Sequence, residues 1–385
     1  MSSPKKINLL AVARWPLGGI RTYMKYVYRH LSVRCAITIL ASSTLEDKAL
    51  IRDAEAVGAT LILHRPEEEE GKGELFTKVF RELRKKKYDL VQSHGFISSV
   101  HVYLANLLLR VPHVLTVHGI LEERYLKGRM SRLKKSMLAK VIGSADAVCA
   151  VSDDIMKHLV ERIPSLEYSK GAKVVIKNGI DIELFDGTDL PKGLFRKGMG
   201  FPEDVFLAGF LGRFMPEKGF NCLIDAVGIL EGRAVRKDYK VLAVGSGAYL
   251  DWYREMIRKR GIEGRFAFLP FQERVSAIYR DLDVLVMPSL WEAFPLQPME
   301  ALCSGTPLIA SDCMGLRETV RGTPAVVFTS GDPAALADAV QGMMESPRRK
   351  RFEEFMPVAR ERFDARKTAE RLHELFQKVL AKGGG

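Results

Sequence analysis

Apolar residues in this chain fall into short runs rich in Val, Ile, Leu and Ala, bounded by Gly, Pro, Asp or Ser. Between them lie stretches whose apolar positions recur every three or four residues. Runs of the first kind suit strands buried on both faces, and their alternation with helical stretches is the pattern of a parallel α/β sheet. In the first half the strand candidates are KINLLAVA, AITIL, ATLILHR, YDLVQSH, HVLTVHG, AVCAVS and KVVIKNG. The second half repeats the logic with FLAGFLGR, YKVLAVGSG, FAFLP, VLVMPS, PLIASD and AVVFTS. Helical periodicity fills the gaps, for instance over residues 20–31 and 73–87. Residues 178–202 are rich in Gly, Asp and Pro without clear periodicity, which marks a hinge. The expected architecture is therefore two doubly wound α/β domains facing across a cleft, the first over residues 1–180 and the second over 181–360. Residues from 347 onward are strongly helical and have no strand partner. They read either as a solvated tail or as a clasp, with 361–385 folding back towards the first domain. In open sheets of this type, ligands bind beyond the carboxyl ends of the strands.

Composition narrows the class without changing the picture. The chain has 385 residues, 47% hydrophobic and 28% charged, with 17 Pro and 32 Gly, which excludes disordered, collagenous and small disulfide-framework proteins. Five widely spaced cysteines, Cys35, Cys149, Cys222, Cys303 and Cys313, form no C-x-x-C motif and read as reduced, mostly buried thiols. The basic and then apolar start has only a short apolar run, so it reads as a first strand rather than a signal peptide. The longest uncharged stretch, residues 90–109, carries Gln92, Ser93, His94, Ser98, Ser99, His101 and Asn106 and is too polar to span a membrane. Charge is lopsided: residues 1–180 hold thirty Lys and Arg against eighteen Asp and Glu, whereas the remainder holds twenty-nine of each.

Several residues at predicted strand ends carry candidate chemistry. Gly18 and Gly19 follow the first strand and precede a helix, where glycine lets backbone N–H groups approach a phosphate; the bland reading is a tight turn. Gly245-Ser246-Gly247 is a partial glycine motif, and neither a full dinucleotide fingerprint nor a P-loop occurs. His118 ends the strand HVLTVHG, and His94 ends the preceding one. Arg213 and Lys218 lie in LGRFMPEKGF with Gly212 and Gly219 beside them, a pairing that suits a diphosphate clamp or a solvated turn partly neutralised by Glu217. Glu292 and Glu300 flank Phe294, Pro295 and Leu296 at the start of a helix. Two carboxylates there could accept hydrogen bonds from sugar hydroxyls or form surface salt bridges. Asp281 and Asp283 form an Asp-x-Asp triplet at a helix end, better read as a capping or turn element than as a metal site. No zinc-binding or nucleophile-elbow motif is present.

These pieces, in this order, resemble a family-four glycosyltransferase of the GT-B fold. The resemblance is carried by GGIRTYM, LTVHG, VIKNGID, GRFMPEKG, GSG, FLPF and the Glu-x7-Glu element of WEAFPLQPMEALCSGTPLIASD, spanning residues 18–312, with FDARKTAERLHELFQKVL similar to the family's closing helix. It implies sugar transfer from a nucleotide-diphosphate sugar, UDP favoured over GDP, with retention of anomeric configuration and no metal or other cofactor. By the same resemblance Arg213 and Lys218 neutralise the leaving diphosphate, Glu292 meets the donor sugar and Glu300 the ribose hydroxyls. The backbone around Phe294, Pro295 and Leu296 holds sugar and phosphate. Gly18, Gly19 and Gly212 line the donor, Leu269, Pro270 and Phe271 border the base, and His118 lies near the reacting carbon. Many members carry Gly where Pro295 stands, and proline has no N–H to donate.

Two other readings compete: a sugar-nucleotide epimerase of the same double fold, and a basic module binding membrane or nucleic acid. The basic runs lack the aromatic interleaving and the motifs of nucleic-acid binders, so no nucleic-acid partner is expected. In residues 122–142, Arg124, Lys127, Arg129, Arg132, Lys134, Lys135 and Lys140 flank an apolar stripe of Leu126, Met130, Leu133, Met137 and Val141. That pattern suits a helix on an anionic membrane surface, or one whose stripe packs on the first sheet. The expectation is a cytoplasmic enzyme resting peripherally on the inner face of the membrane, with a glycan or lipid-linked acceptor.

Overall fold

A computed structural model of the chain describes residues 5–44, 47–64, 75–121, 131–185, 193–233, 235 and 237–383. The chain divides into two units, Met1–Ile180 together with Ala365–Gly385, and Asp181–Asp364. Each is a parallel sheet with helices between successive strands.

The first unit contains β1 (Ile7–Ala13), β2 (Cys35–Ser42), β3 (Thr60–His64), β4 (Leu90–His94), β5 (His113–Val117), β6 (Ala147–Ala150) and β7 (Ala172–Val175). They lie in the order β3-β2-β1-β4-β5-β6-β7, all parallel. Each strand coincides with one of the apolar runs. In β1, Leu9, Leu10, Ala11 and Val12 are fully buried, so both faces of the strand are covered. The Gly19–Leu31 helix packs Tyr23, Met24, Val27, Tyr28 and Leu31 into the core on one side of the sheet. The last helix, Ala365–Gly383, buries Ala369, Leu372, Phe376 and Val379 in that same core. It is no solvated tail. The chain leaves the preceding Arg349–Phe363 helix through extended backbone at Asp364. Ala365 N–H then donates to Ile180 O at 2.9 Å, and Thr368 Oγ1 to Lys177 O at 2.9 Å.

The second unit contains β8 (Phe206–Leu211), β9 (Tyr239–Val244), β10 (Phe266–Leu269), β11 (Val284–Met287), β12 (Leu308–Ser311) and β13 (Val326–Phe328), in the order β10-β9-β8-β11-β12-β13. Its core includes an aromatic cluster, with Phe220 4.6 Å from Phe210 and 5.1 Å from both Phe214 and Tyr253, centroid to centroid. Asp281 and Asp283 have structural roles: Asp281 accepts from the N–H groups of Gly193 and Arg196, and Asp283 pairs with the Arg196 guanidinium and accepts from Leu207 N–H. All five cysteines are buried and free. Among the described residues no helix is long and apolar enough to cross a membrane.

Sequence neighbours diverge spatially at β1/β4 in the first sheet and at β8/β11 in the second. The crevice beyond such a reversal is where open α/β sheets hold ligands. Gly18, Gly19 and His94 lie at or just beyond the ends of the first pair of strands, and Arg213, Lys218 and Glu292 beyond the second.

Candidate functional site

In the second unit the site grows from the two loops that leave β8 and β11. Gly219, at φ +67°, ends the short turn Pro216–Lys218 and starts the Phe220–Glu231 helix. A Cβ there would lie 1.9 Å from the Pro288 carbonyl oxygen, so only glycine lets the loops approach this closely. Leu290 N–H donates to Glu217 O at 2.8 Å and locks the loops together. The outcome is that Lys218 Nζ donates to both oxygens of Glu292, at 2.7 and 2.9 Å. Ser289 Oγ adds a third donor to that carboxylate at 2.9 Å. Glu292 is held from behind as well: its N–H bonds Met314 O at 3.0 Å, and a Cβ on Gly315 would sit 2.2 Å from its carbonyl oxygen. Both charged side chains are largely buried, so neither can be removed without leaving the other uncompensated.

Arg213 differs. Its side chain is 57% exposed and it pairs with Glu217 at 3.5 Å. Arg213 and Lys218 thus each face a carboxylate, Glu217 for the arginine, in keeping with the partly neutralised turn, and Glu292 for the lysine. Glu300 sits in the helix Gln297–Cys303, is buried, and accepts from Tyr279 OH at 2.9 Å. Phe294 and Leu296 are buried, but Phe294, Pro295 and Leu296 precede the helix rather than occupy its first turn, with Leu296 as its N-cap. Gln297 Nε2 ties this segment to Leu211 O at the end of β8, next to Gly212, at 2.6 Å. Leu269 closes β10, and after it Pro270 and Phe271 are exposed.

The first unit offers a different chemistry. Gly18, at φ +51°, leads into the Gly19–Leu31 helix, whose first turn has no acidic side chain. Gly19 is exposed. Beyond β4 and β5, His94 Nδ1 and His118 Nε2 are 2.8 Å apart, with rings stacked at 5.1 Å. Tyr23 meets the His118 ring edge-on at 4.7 Å. His94 Nε2 contacts Tyr28 OH at 2.6 Å, Tyr28 OH donates to Gln92 Oε1 at 2.9 Å, and Gln92 Nε2 donates to Thr116 Oγ1 at 2.8 Å. Burial pushes the His118 pKa down to about 3. Burial, reinforced by His118, also holds His94 well below the usual imidazole range. Both rings are neutral at physiological pH.

The sequence reading missed Tyr28, Gln92 and Tyr279. Tyr28 sits on a helix and Gln92 on a strand 64 residues away, a distance that no local motif spans. The available signal was Gln92 itself, an amide inside the otherwise apolar start of β4.

Among the described residues no cluster of three or more His, Cys, Asp or Glu is placed to hold a metal. What the second unit assembles is a lysine–glutamate pair with an adjacent arginine and a second buried carboxylate, groups suited to an anion and to hydroxyls.

Comparison with known proteins agrees with this chemistry. Residues 192–359 match the family described as Glycosyl transferases group 1, and residues 17–184 match Glycosyltransferase Family 4. D-inositol 3-phosphate glycosyltransferase of Corynebacterium urealyticum is 30% identical over 76% of this chain and 72% of its own. The enzyme of that name from Corynebacterium glutamicum is 29% identical over 94% of this chain and 92% of its own. In fold, the chain superposes on Anabaena HepE in complex with UDP-glucose with a TM-score of 0.82 at 21% identity, covering 97% of this chain and all of the other. Sucrose-phosphate synthase from Thermosynechococcus elongatus gives 0.75 at 18% identity over 97% of this chain and all of its own. The chain belongs to the group 1, family 4 glycosyltransferases and has their GT-B fold.

Proposed function

We propose that the protein transfers a hexose, with retention of configuration and without a metal ion, from UDP-sugar to a hydroxyl of a glycan or lipid-linked acceptor in the synthesis of cell-surface polysaccharide or glycolipid. The observation that carries the reading is the Lys218–Glu292 pair at the β8/β11 reversal, with Glu300 buried on the following helix. Lys218 and Arg213 neutralise the charge that develops on the departing diphosphate, the step at which fixed cations accelerate reaction most. Glu292, already oriented by Lys218 and Ser289, accepts from donor-sugar hydroxyls. Glu300 accepts from the ribose, braced by Tyr279. Leu269, Pro270 and Phe271 border the base, while Gly212 and the backbone from Phe294 to Leu296 meet sugar and phosphate. Pro295 offers no N–H, so Phe294 and Leu296 supply that backbone contact. In the first unit Gly18, Gly19 and His118 are the ligand-facing groups.

UDP as the nucleotide draws support from the UDP complexes of HepE, which has the same fold. Transfer to a phosphorylated polyol is what the corynebacterial relatives are named for. The basic surface of the first unit favours a lipid-linked acceptor held at an anionic membrane. The test is a panel of UDP- and GDP-sugars incubated with the purified protein, with and without chelator. Turnover of one UDP-sugar that survives chelation is the expected result. Loss of turnover in chelator, restored by magnesium or manganese, overturns metal independence. An isomerised nucleotide sugar formed without acceptor would identify an epimerase instead.

A further inference from the structure

The chain of side chains behind His118 has a direction. Gln92 is fully buried, and its amide points Oε1 at Tyr28 and Nε2 at Thr116. A phenol has one proton. Tyr28 is buried and gives that proton to Gln92 Oε1, so its oxygen meets His94 Nε2 as an acceptor, and His94 carries its hydrogen on Nε2. His94 is neutral, so its Nδ1 is bare, and the 2.8 Å contact with His118 Nε2 closes only if His118 supplies the hydrogen. One proton per link accounts for every bond from Gln92 to His118. At the far end it leaves His118 Nδ1 as an acceptor. That atom is not among the buried polar atoms lacking a partner, and no other described residue bonds it. It is the open end of the chain.

We propose that Gln92, Tyr28 and His94 are positioning residues that hold His118 in the tautomer protonated at Nε2, so that Nδ1 is presented as a fixed acceptor to a hydroxyl of the sugar substrate. Three helix and strand elements converge to make this possible: Tyr28 from the Gly19–Leu31 helix, Gln92 and His94 from β4, and Thr116 from β5, with His118 just beyond it. Reversing the chain requires turning the Gln92 amide over and moving every proton along it together, so the amide sets the polarity of the whole. Aromatic contacts restrict the ring: Tyr23 meets both imidazoles edge-on. Among the described residues no cation or carboxylate is bonded to either histidine, so none of their charges selects the tautomer. A neutral acceptor of this kind discriminates between ligand groups, because it welcomes an O–H or N–H and repels a bare oxygen lone pair. The ligand role of His118 rests on the proposed sugar transfer, whereas the tautomer does not.

The test is a long-range proton–nitrogen correlation spectrum of the full chain labelled with nitrogen-15 histidine, recorded on the ligand-free protein. For wild type, His118 should show a protonated Nε2 and a bare Nδ1. In Tyr28→Phe the second His118 tautomer should appear, and KM for the donor sugar should rise about two- to tenfold, the usual yield of one hydrogen bond, with little change in kcat. If Tyr28→Phe fails to fold, Gln92→Leu provides the same readout. A wild-type His118 protonated at Nδ1, or a tautomer unmoved in the folded variants, overturns the positioning chain. If the tautomers behave as expected but His118→Ala transfers sugar at the wild-type rate, the chain stands and the ligand role of its open end falls.

Discussion

The two units place polar clusters beyond comparable strand ends and stabilise them by opposite means. In the second unit the cluster is ionic, Lys218 against Glu292 and Arg213 against Glu217. In the first it is neutral, a phenol, an amide and two imidazoles joined by single hydrogen bonds. Burying ions is costly unless each has a close partner, and the second unit supplies one. Burying neutral donors and acceptors costs little once each is satisfied, and the first unit satisfies them along one chain. The difference matches what each cluster would have to recognise: a doubly charged leaving group on one side, uncharged hydroxyls on the other. An ionic cluster should therefore fail catalytically when a charge is deleted, and a neutral one should fail by degrees.

The largest effect should follow Lys218→Ala. Removing a cation aimed at developing charge costs roughly 10² to 10³ in kcat, and here it also strands the buried Glu292. His118→Ala, in the neutral cluster, should cost about tenfold. Equal losses in the two variants, with circular dichroism unchanged, would break the contrast between ionic and neutral sites.

Next in size are the two carboxylates of the second unit. Glu300→Gln should weaken binding of free UDP about tenfold, the scale of one hydrogen bond to a charged group. Glu292→Gln should leave that binding nearly unchanged and slow transfer. Calorimetry with UDP separates them, and the reverse pattern would exchange their roles.

How much of this could be read from the chain depends on range. All thirteen strands among the described residues coincide with apolar runs, because a parallel strand covered on both faces must be apolar nearly throughout. Arg213, Lys218 and Glu292 were visible because they lie in the loops that leave β8 and β11, and Glu300 because it stands in the first turn of the helix that follows. Their pairing was visible only in part: Glu217 stands four residues from Arg213, within local reach, whereas the Lys218–Glu292 bond depends on β8 lying beside β11, an adjacency set by strand order. Tyr28 gave no local sign of its role for the same reason, since its hydroxyl finds Gln92 only after β4 inserts beside β1. The closing helix was legible as a helix that could fold back towards the first domain, whereas the bonds that fasten it, Ala365 N–H to Ile180 O and Thr368 Oγ1 to Lys177 O, were not.

A smaller effect should appear in the pH dependence of stability, and it belongs to the buried neutral histidines of the first unit. Burial holds His94 well below the usual imidazole range and His113, bonded to Ser93, at about 3. The unfolded chain binds these protons near pH 6.5 and the folded chain resists them. The stabilisation is thus complete above about pH 6.5 and drains away as pH falls below it, for His113 towards about 3. Each buried histidine contributes on the order of 1 kcal/mol per pH unit wherever the unfolded chain binds the proton that the folded chain resists. The midpoint of thermal unfolding should fall from pH 7 to pH 5, and less steeply in His113→Asn. A midpoint that rises on acidification would contradict the neutral assignment.

The smallest effect tests where the first unit keeps its excess charge, since its site has none. Of its two basic segments, 81–87 is partly neutralised from within: Glu82 takes Lys85 at 2.5 Å and Lys87 at 3.6 Å. The helix Ser131–Gly143 is not. Arg132, Lys134, Lys135 and Lys140 have no ion pair among the described residues, while Arg124, Lys127 and Arg129, with Leu126 and Met130, lie outside those residues. The stripe does not pack on the sheet as a whole: Val141 is buried, but Leu133 is 50% and Met137 59% exposed. Beside it the helix Gly95–Leu109 turns Leu104, Leu107 and Leu108 outward, and a groove of about 510 Å³ between the two is lined by Tyr103, Ser136, Lys140 and the exposed Tyr168. Apolar tips ringed by unpaired cations suit the surface of an anionic bilayer. At roughly 1 kcal/mol per engaged cation, attachment would be reversible and weakened by salt. Sedimentation with phosphatidylglycerol vesicles at low salt should pellet the protein, high salt should release most of it, and phosphatidylcholine vesicles should leave it in solution. A Leu133→Ser, Met137→Ser double variant should halve the pelleted fraction without touching turnover of a soluble acceptor. Equal, negligible pelleting with both lipids would leave the charge of this unit as simple surface solvation and would place the acceptor in solution.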